Sequence, residues 1–383
     1  MKYLILLFLI VSTKVNAQKD TTLTLVFMGD VMGHDSQINS ARIGDSDQFD
    51  YHSCFKYLIH DIQSADIAIA NLEVTLAGAP FKGYPSFSSP DTLVDALQNA
   101  GIDAVVMANN HCVDRRKAGL NRTCDILDQK GMPRTGAFKD SLDRIKHNPM
   151  ILEVKGFRLA VLNYTYGTNG IRVQHPNIVN TIDTSIIAND IKIAKERHVD
   201  EIIISMHWGW EYQTKPNPEQ KKLTNWLYSK GINIVIGSHP HVLQPMKHEL
   251  KDGNNRLVAY SLGNFISNQR TAPRDGAALL FIDLKKEGGQ TKVLNAEYQL
   301  TWVYTPVKGG KKYFYVLPAQ RYKNNSWLEE TARKRVKQYI AEAKAILKYN
   351  VKVNERLFDA PLFPLNGKQM IMPEMSIPKS ISL

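Results

Sequence analysis

Two imidazoles, His239 and His241, stand two residues apart in Gly-Ser-His-Pro-His, just after the apolar run 232–236. In extended backbone, residues two apart face the same side, and Pro240 between them would stiffen that geometry. Other polar groups follow apolar runs in the same way. Asp30 follows 23–27, where Gly29 allows close backbone approach. Asn71 and Glu73 follow 66–70, Asn109-Asn110-His111 follows 103–108, and His207 follows 201–205. Carboxylate, amide and imidazole donors suit Mn, Fe, Zn or a mixed pair, and do not call for thiolates. Two such cations, roughly 3.5–4 Å apart, would generate a hydroxide and polarise an anionic substrate oxygen. His111 is placed to protonate a leaving group, and His34, four residues after Asp30, is placed to join the set. Each residue alone has an ordinary structural explanation. Six of them, each just after a strand, point to one common sheet edge, where α/β proteins gather their ligands.

The elements that must position these residues alternate along the chain. Strand patterns at 23–27, 66–70, 103–108, 201–205, 232–236 and 257–260 are interleaved with helical patterns at 51–64, 91–100, 119–129, 186–197 and 218–229. Residues 151–154 and 157–164 read as a hairpin turning at Lys155-Gly156. Antiparallel strands are expected at 277–284, 291–304 and 312–317. Residues 326–348 read as an amphipathic helix opened by a Ser326/Glu329 capping box, followed by an irregular Pro-containing tail after Asn350. The pattern predicts a layered α/β domain with mixed sheets over residues 18–320 and a C-terminal helix and tail over 321–383.

Lys2, the apolar stretch 3–11 and Val15-Asn16-Ala17 read as a signal peptide ending at residue 17, so the chain is expected to be exported to the periplasm or cell envelope. Loss of Lys2 and Lys14 would lower the formal net charge from +11 to +9. That excess suits an anionic polymer or small anionic substrate. It does not argue for nucleic acid, because no nucleic-acid-binding signature accompanies it. Cys54, Cys112 and Cys124 are widely spaced and are expected as packed thiols. No GxSxG or GxxxxGK motif is present, which ranks serine and nucleotide-driven chemistry low.

Gly-Asp-Val-Met with His34, Asn-Leu-Glu at 71–73, Asn-Asn-His with Asp114, His-Trp-Gly with Glu211, Gly-Ser-His-Pro-His-Val at 237–242 and Ser-Leu-Gly-Asn-Phe at 261–265 occur in that order. The series resembles that of the CapA family of capsule and poly-γ-glutamate synthesis proteins, itself similar to calcineurin-like metallophosphatases. The resemblance covers roughly residues 23–305. It implies a four-layer α/β/β/α sandwich with a metal site at one edge. It further implies Asp30, Glu73, Asn110, His207, His239 and His241 as ligands of one or two divalent metals. His111 and Asp114 then become the catalytic candidates, and His34, Asn71, Glu211 and Arg270 the substrate-contacting ones. Two positions depart from the metallophosphatase pattern: Glu73 stands near the usual bridging Asp, and no DxH follows the first strand. The implied role is metal-dependent hydrolysis in making or trimming an anionic envelope polymer beside the biosynthetic machinery. A secreted phosphoesterase and a non-catalytic polymer-binding accessory protein are the alternatives.

Overall fold

The computed structural model describes residues 21–251 and 253–358. The expected leader at 1–17 lies outside them, as does the tail beyond 358. No helix among the described residues is long and apolar enough to cross a membrane.

Period-two alternation in the strands builds three apolar layers. Leu23, Leu25 and Phe27 of Thr21–Val31 face one side, and Val26 and Met28 the other. Leu159 and Val161 of Phe157–Thr165 face inward, while Ala160, Leu162 and Tyr164 face outward. The inward sets of two sheets meet in one shared core. The outer face of the first sheet is covered by helices including Thr92–Asn99 and Arg116–Gln129. The outer face of the second is covered by Thr184–Glu196 and Pro218–Ser229. The result is the expected α/β/β/α sandwich.

The first sheet has eight strands. Seven run in the order Tyr315–Pro318, Gln290–Tyr304, Gly276–Glu287, Thr21–Val31, Ile67–Leu72, Ala104–Val106 and Arg134–Thr135. The second has six, ordered Met246–Lys251, Asn254–Ala259, Ile234–Ser238, Glu201–His207, Phe157–Thr165 and Met150–Val154. Both are mixed. Thr21–Val31, Ile67–Leu72 and Ala104–Val106 are mutually parallel, as are Phe157–Thr165, Glu201–His207, Ile234–Ser238 and Asn254–Ala259. Their carboxyl ends share one edge, where Asp30 N–H donates to Gly263 O at 3.0 Å and ties the sheets together. Lys155 (φ 49°) and Gly156 (φ 78°) form the expected tight hairpin turn.

Three details differ from the sequence expectation. The helix expected over 51–64 is two short ones, His52–Phe55 and Ile59–Gln63. The break lets Tyr57 turn its ring to Tyr315 and Tyr322 while Phe55 and Leu58 pack under the helices. The long helix runs Glu330–Leu347, with no capping box from Ser326. Glu329 instead accepts from the Tyr304 hydroxyl, and Asn325 Oδ1 accepts from Trp327 N. The chain after Asn350 is not wholly irregular, for Asn354–Glu355 pairs with the strand Gln290–Tyr304.

The C-terminal helix belongs to the inter-sheet core through Val336, Tyr339, Ala343 and Leu347. Arg335 clamps the buried Asp275 through two hydrogen bonds of 2.8 and 2.5 Å, and Trp302 Nε1 donates to the same carboxylate at 2.9 Å. All three cysteines are buried free thiols.

Glu201 begins a central strand at the sheet end away from the common edge. Burial raises its carboxyl to about 7, partly offset by bonds from Ile202 N and Asn233. The folded chain therefore holds this proton more tightly than the unfolded chain does. Its contribution to stability is full below about pH 4.5 and falls by about 3 kcal/mol as pH rises to 7. Chemical denaturation of Glu201→Gln across that window should show a shallower pH slope; an unchanged slope refutes the assignment.

Candidate metal centre

Backbone geometry at the shared edge explains why certain residues stand there. A Cβ on Gly29 would lie 1.9 Å from Gly263 O, so only glycine lets the first strand dock beside that loop. A Cβ on Gly237 would meet Tyr260 O at 2.0 Å. Beyond Gly237 the chain departs from the expected extended form. His239 has φ 96° and His241 φ 58°, so the two rings converge from left-handed backbone. Their centroids lie 5.9 Å apart.

Six of the expected residues come together, three from each sheet. Asp30 lies near the end of a strand of the first sheet, and Glu73 and Asn110 follow two others; His207, His239 and His241 end or follow strands of the second. Asp30, Glu73 and His207 form one compact group of donor atoms, and Glu73, His239 and His241 form another. Glu73 is common to both.

The hydrogen bonds set which ring nitrogens carry protons. His241 Nδ1 lies 3.1 Å from both Asp30 Oδ2 and Asn264 Oδ1, two acceptors, so Nδ1 carries the proton. Its Nε2 then turns a lone pair toward Glu73 Oε1, 3.8 Å away. His207 Nε2 lies 3.5 Å from the same oxygen and donates to Asn110 Oδ1 at 2.7 Å, a proton that a bound cation would displace. Asn71 Nδ2 donates to Asp30 Oδ1 at 2.8 Å, and Ser238 Oγ sits 3.1 Å from His207 Nδ1. Both Glu73 oxygens and His239 Nδ1 are buried with no hydrogen-bond partner.

The charges agree with the geometry. Burial, then neighbouring Asp30, raises the Glu73 carboxyl well above its usual range. Burial, then His239 and His241, holds His207 well below the usual imidazole value, and burial pushes His239 down to about 3. Neutral imidazoles around buried carboxylates make a donor set that lacks a positive charge. A sealed carboxylate with no donor is costly unless a cation satisfies it. The residues therefore fit a divalent metal.

His111 lies against this set, with Nδ1 2.8 Å from Asp114 Oδ2, which also accepts from Phe87 N at 2.9 Å. That carboxylate fixes the Nδ1–H tautomer and leaves Nε2 for chemistry. Phe87 packs edge-on, 4.7 Å from the imidazole.

The expected substrate contacts fare differently. His34 borders the centre at the start of helix Asp35–Ala41, bonded to Gln37 and lowered first by burial and then affected by His241 and His111. Asn71 is buried behind Asp30 and His207, where it orients donors. Glu211 is exposed beside Tyr212, whereas Ser238 and Asn71 contact His207 Nδ1. Arg270 leans toward Asp275 at 3.8 Å, near Arg335. Asn264, Tyr166, Tyr212 and Arg274 were missed as site residues. Tyr166 lies 4.5 Å from the His239 ring, and Arg274 sits over Tyr212, which is 6.1 Å from the His241 ring. Asn264 carries the same signal as the others, a polar residue just after a strand. The aromatics and Arg274 carry none, because only the fold brings them to the rim.

Residues 24–269 match the family model described as bacterial capsule synthesis protein PGA_cap. The chain is 27% identical over 290 residues to the capsule biosynthesis protein CapA of Bacillus anthracis, covering 72% of this chain and 67% of the relative. It is also 27% identical over 285 residues to the PGA biosynthesis protein CapA of Bacillus subtilis, covering 72% and 71%. Among solved structures, a calcineurin-like phosphoesterase of Bacillus subtilis superposes at TM-score 0.48 and 14% identity, over 73% of this chain and 90% of that one. At that score the fold is argued from the two sheets alone. With its matched stretch carrying all six clustered donors, the chain belongs to the bacterial capsule synthesis protein family.

Proposed function

We propose that this chain is an exported, metal-dependent hydrolase that trims or processes an anionic γ-linked glutamate polymer of the cell envelope, beside the machinery that makes it. The observation that carries the reading is Glu73, a sealed carboxylate with no hydrogen-bond donor, shared by two groups of inward-facing ligands. Asp30 and His207 would hold a cation on one side of it, His239 and His241 on the other, with the Asn110 amide oxygen adding to the His207 side. Bound there, one or two Mn, Fe or Zn ions would acidify water and polarise an anionic substrate oxygen. Asn71 and Asn264 orient the donors behind Asp30 and His241. His111, aligned by Asp114, delivers a proton from Nε2 to the leaving group. The excess of basic residues attracts a polyanion to the surface. The leader pattern at residues 1–17 supports export.

Elemental analysis of the purified protein should find divalent metal, and a chelator should abolish turnover of γ-glutamyl peptides, with restoration by Mn. The same panel carries phosphomonoesters and phosphodiesters. Turnover of phosphate esters alone overturns the polymer reading. A chelated protein that stays folded and binds polymer as tightly as the loaded form, with no turnover in either state, makes this an accessory protein instead.

A further inference from the structure

A cleft of about 640 Å³ opens beside His239. Two of its rings are strongly exposed: Trp210 at 58% and Tyr166 at 47%. Its ionisable walls, apart from His239, are Glu211 and Glu219, both exposed, and no lysine or arginine lines it among the described residues. This is a local reversal of sign in a chain with a formal net charge of +11. Three of the four side-chain amide atoms of Asn217 and Gln220 are already committed. Gln220 Oε1 accepts from Asn217 N, Asn217 Oδ1 accepts from Gln220 N, and Gln220 Nε2 donates to Gln244 Oε1. The hydrogen-bonding capacity left on the walls is therefore mainly carboxylate, which only accepts. Aromatic faces together with carboxylates suit a positively charged donor.

The wall that adjoins the cleft carries a cation. Arg274 lies over the Tyr212 ring, and Tyr212 neighbours His241. Glu211 stands beside the same Tyr212, so the carboxylate of the cleft and the guanidinium of Arg274 are neighbours around that ring. We infer that the cleft beside His239 takes the free ammonium group of an amine-terminated substrate, whose anionic remainder lies toward Arg274. This rests on the reading of the centre as a hydrolase of γ-linked glutamate. It adds that the centre works at the amino end of such a chain and not along its middle.

The test is calorimetric titration of the full-length protein, metal-loaded and chelated, with a γ-glutamyl tripeptide bearing a free α-amine and with its N-acetylated counterpart. The free-amine peptide should bind at least about 10-fold more tightly. The combined variant Glu211→Gln/Glu219→Gln should erase that preference, and Trp210→Ala should weaken only the free-amine peptide. Equal binding of the two peptides by the unaltered protein overturns the inference without reference to any variant. Tighter binding of chitotriose than of the free-amine peptide also overturns it and makes the cleft a sugar site. Failure of the metal reading shows separately, as absence of metal in elemental analysis, whatever the peptide preference.

Discussion

His111→Ala should retain its metal while turnover falls by about 10²–10⁴-fold, the usual contribution of a positioned general acid. The two halves of that result separate the roles. His111 spends Nδ1 on Asp114, 2.8 Å away, and contributes nothing to either compact donor group. Its removal takes a proton donor and leaves the cation-holding atoms in place. Asp114→Asn should lower turnover too, because an amide can offer its N–H to Nδ1 and invert the tautomer. Substrates whose leaving group needs no proton should be spared in both variants. A large loss of metal from His111→Ala, or full activity without the imidazole, would show that the acid sits elsewhere.

Glu73→Gln should weaken metal binding by at least about 100-fold, since even residues behind a ligand cost 10–100-fold when changed. The effect on stability should change sign with metal. In chelated protein the native carboxylate is sealed from water with neither oxygen hydrogen-bonded. Replacing it by a neutral amide removes that burden, and the chelated variant should be more stable than chelated wild type by about 1–3 kcal/mol. With Mn in excess, wild type gains the binding energy and the variant does not. Calorimetric melting of both proteins in chelator and in Mn gives four temperatures. A variant that melts lower than wild type under both conditions would mean that Glu73 has an ordinary structural role.

The sandwich was legible because its strands write their burial plainly. Leu23, Leu25 and Phe27 alternate with Val26 and Met28, and both sets are apolar, as a strand covered on both faces requires. The six clustered residues were legible because each follows such a run. What was hidden had local signals that pointed elsewhere. Tyr51 to Ser64 keeps helical spacing, yet Tyr57 is drawn toward Tyr315 and Tyr322, far along the chain, and the helix breaks. Ser326 and Glu329 have capping-box spacing, but Tyr304 claims the Glu329 carboxylate. The left-handed backbone at His239 and His241 is imposed by packing at the edge, and local sequence favours extension before and after a proline. Arg270 sits beside the loop motif but answers to Asp275 on the C-terminal side.

The matched stretch ends at residue 269, while the strand lying directly against Thr21–Val31 is Gly276–Glu287. Homology thus draws a border through the middle of a sheet. A recombinant fragment trimmed to that border would leave the first strand with a naked flank of backbone donors and acceptors, ready to zip onto a neighbouring molecule. Ending instead at residue 329 would keep the strands but strip Arg335 from Asp275, leaving that buried anion only Trp302 and the more distant Arg270, next to the loop that carries Asn264. The smallest soluble piece of this protein should therefore extend through Leu347, well past the end of the stretch that the family model matches.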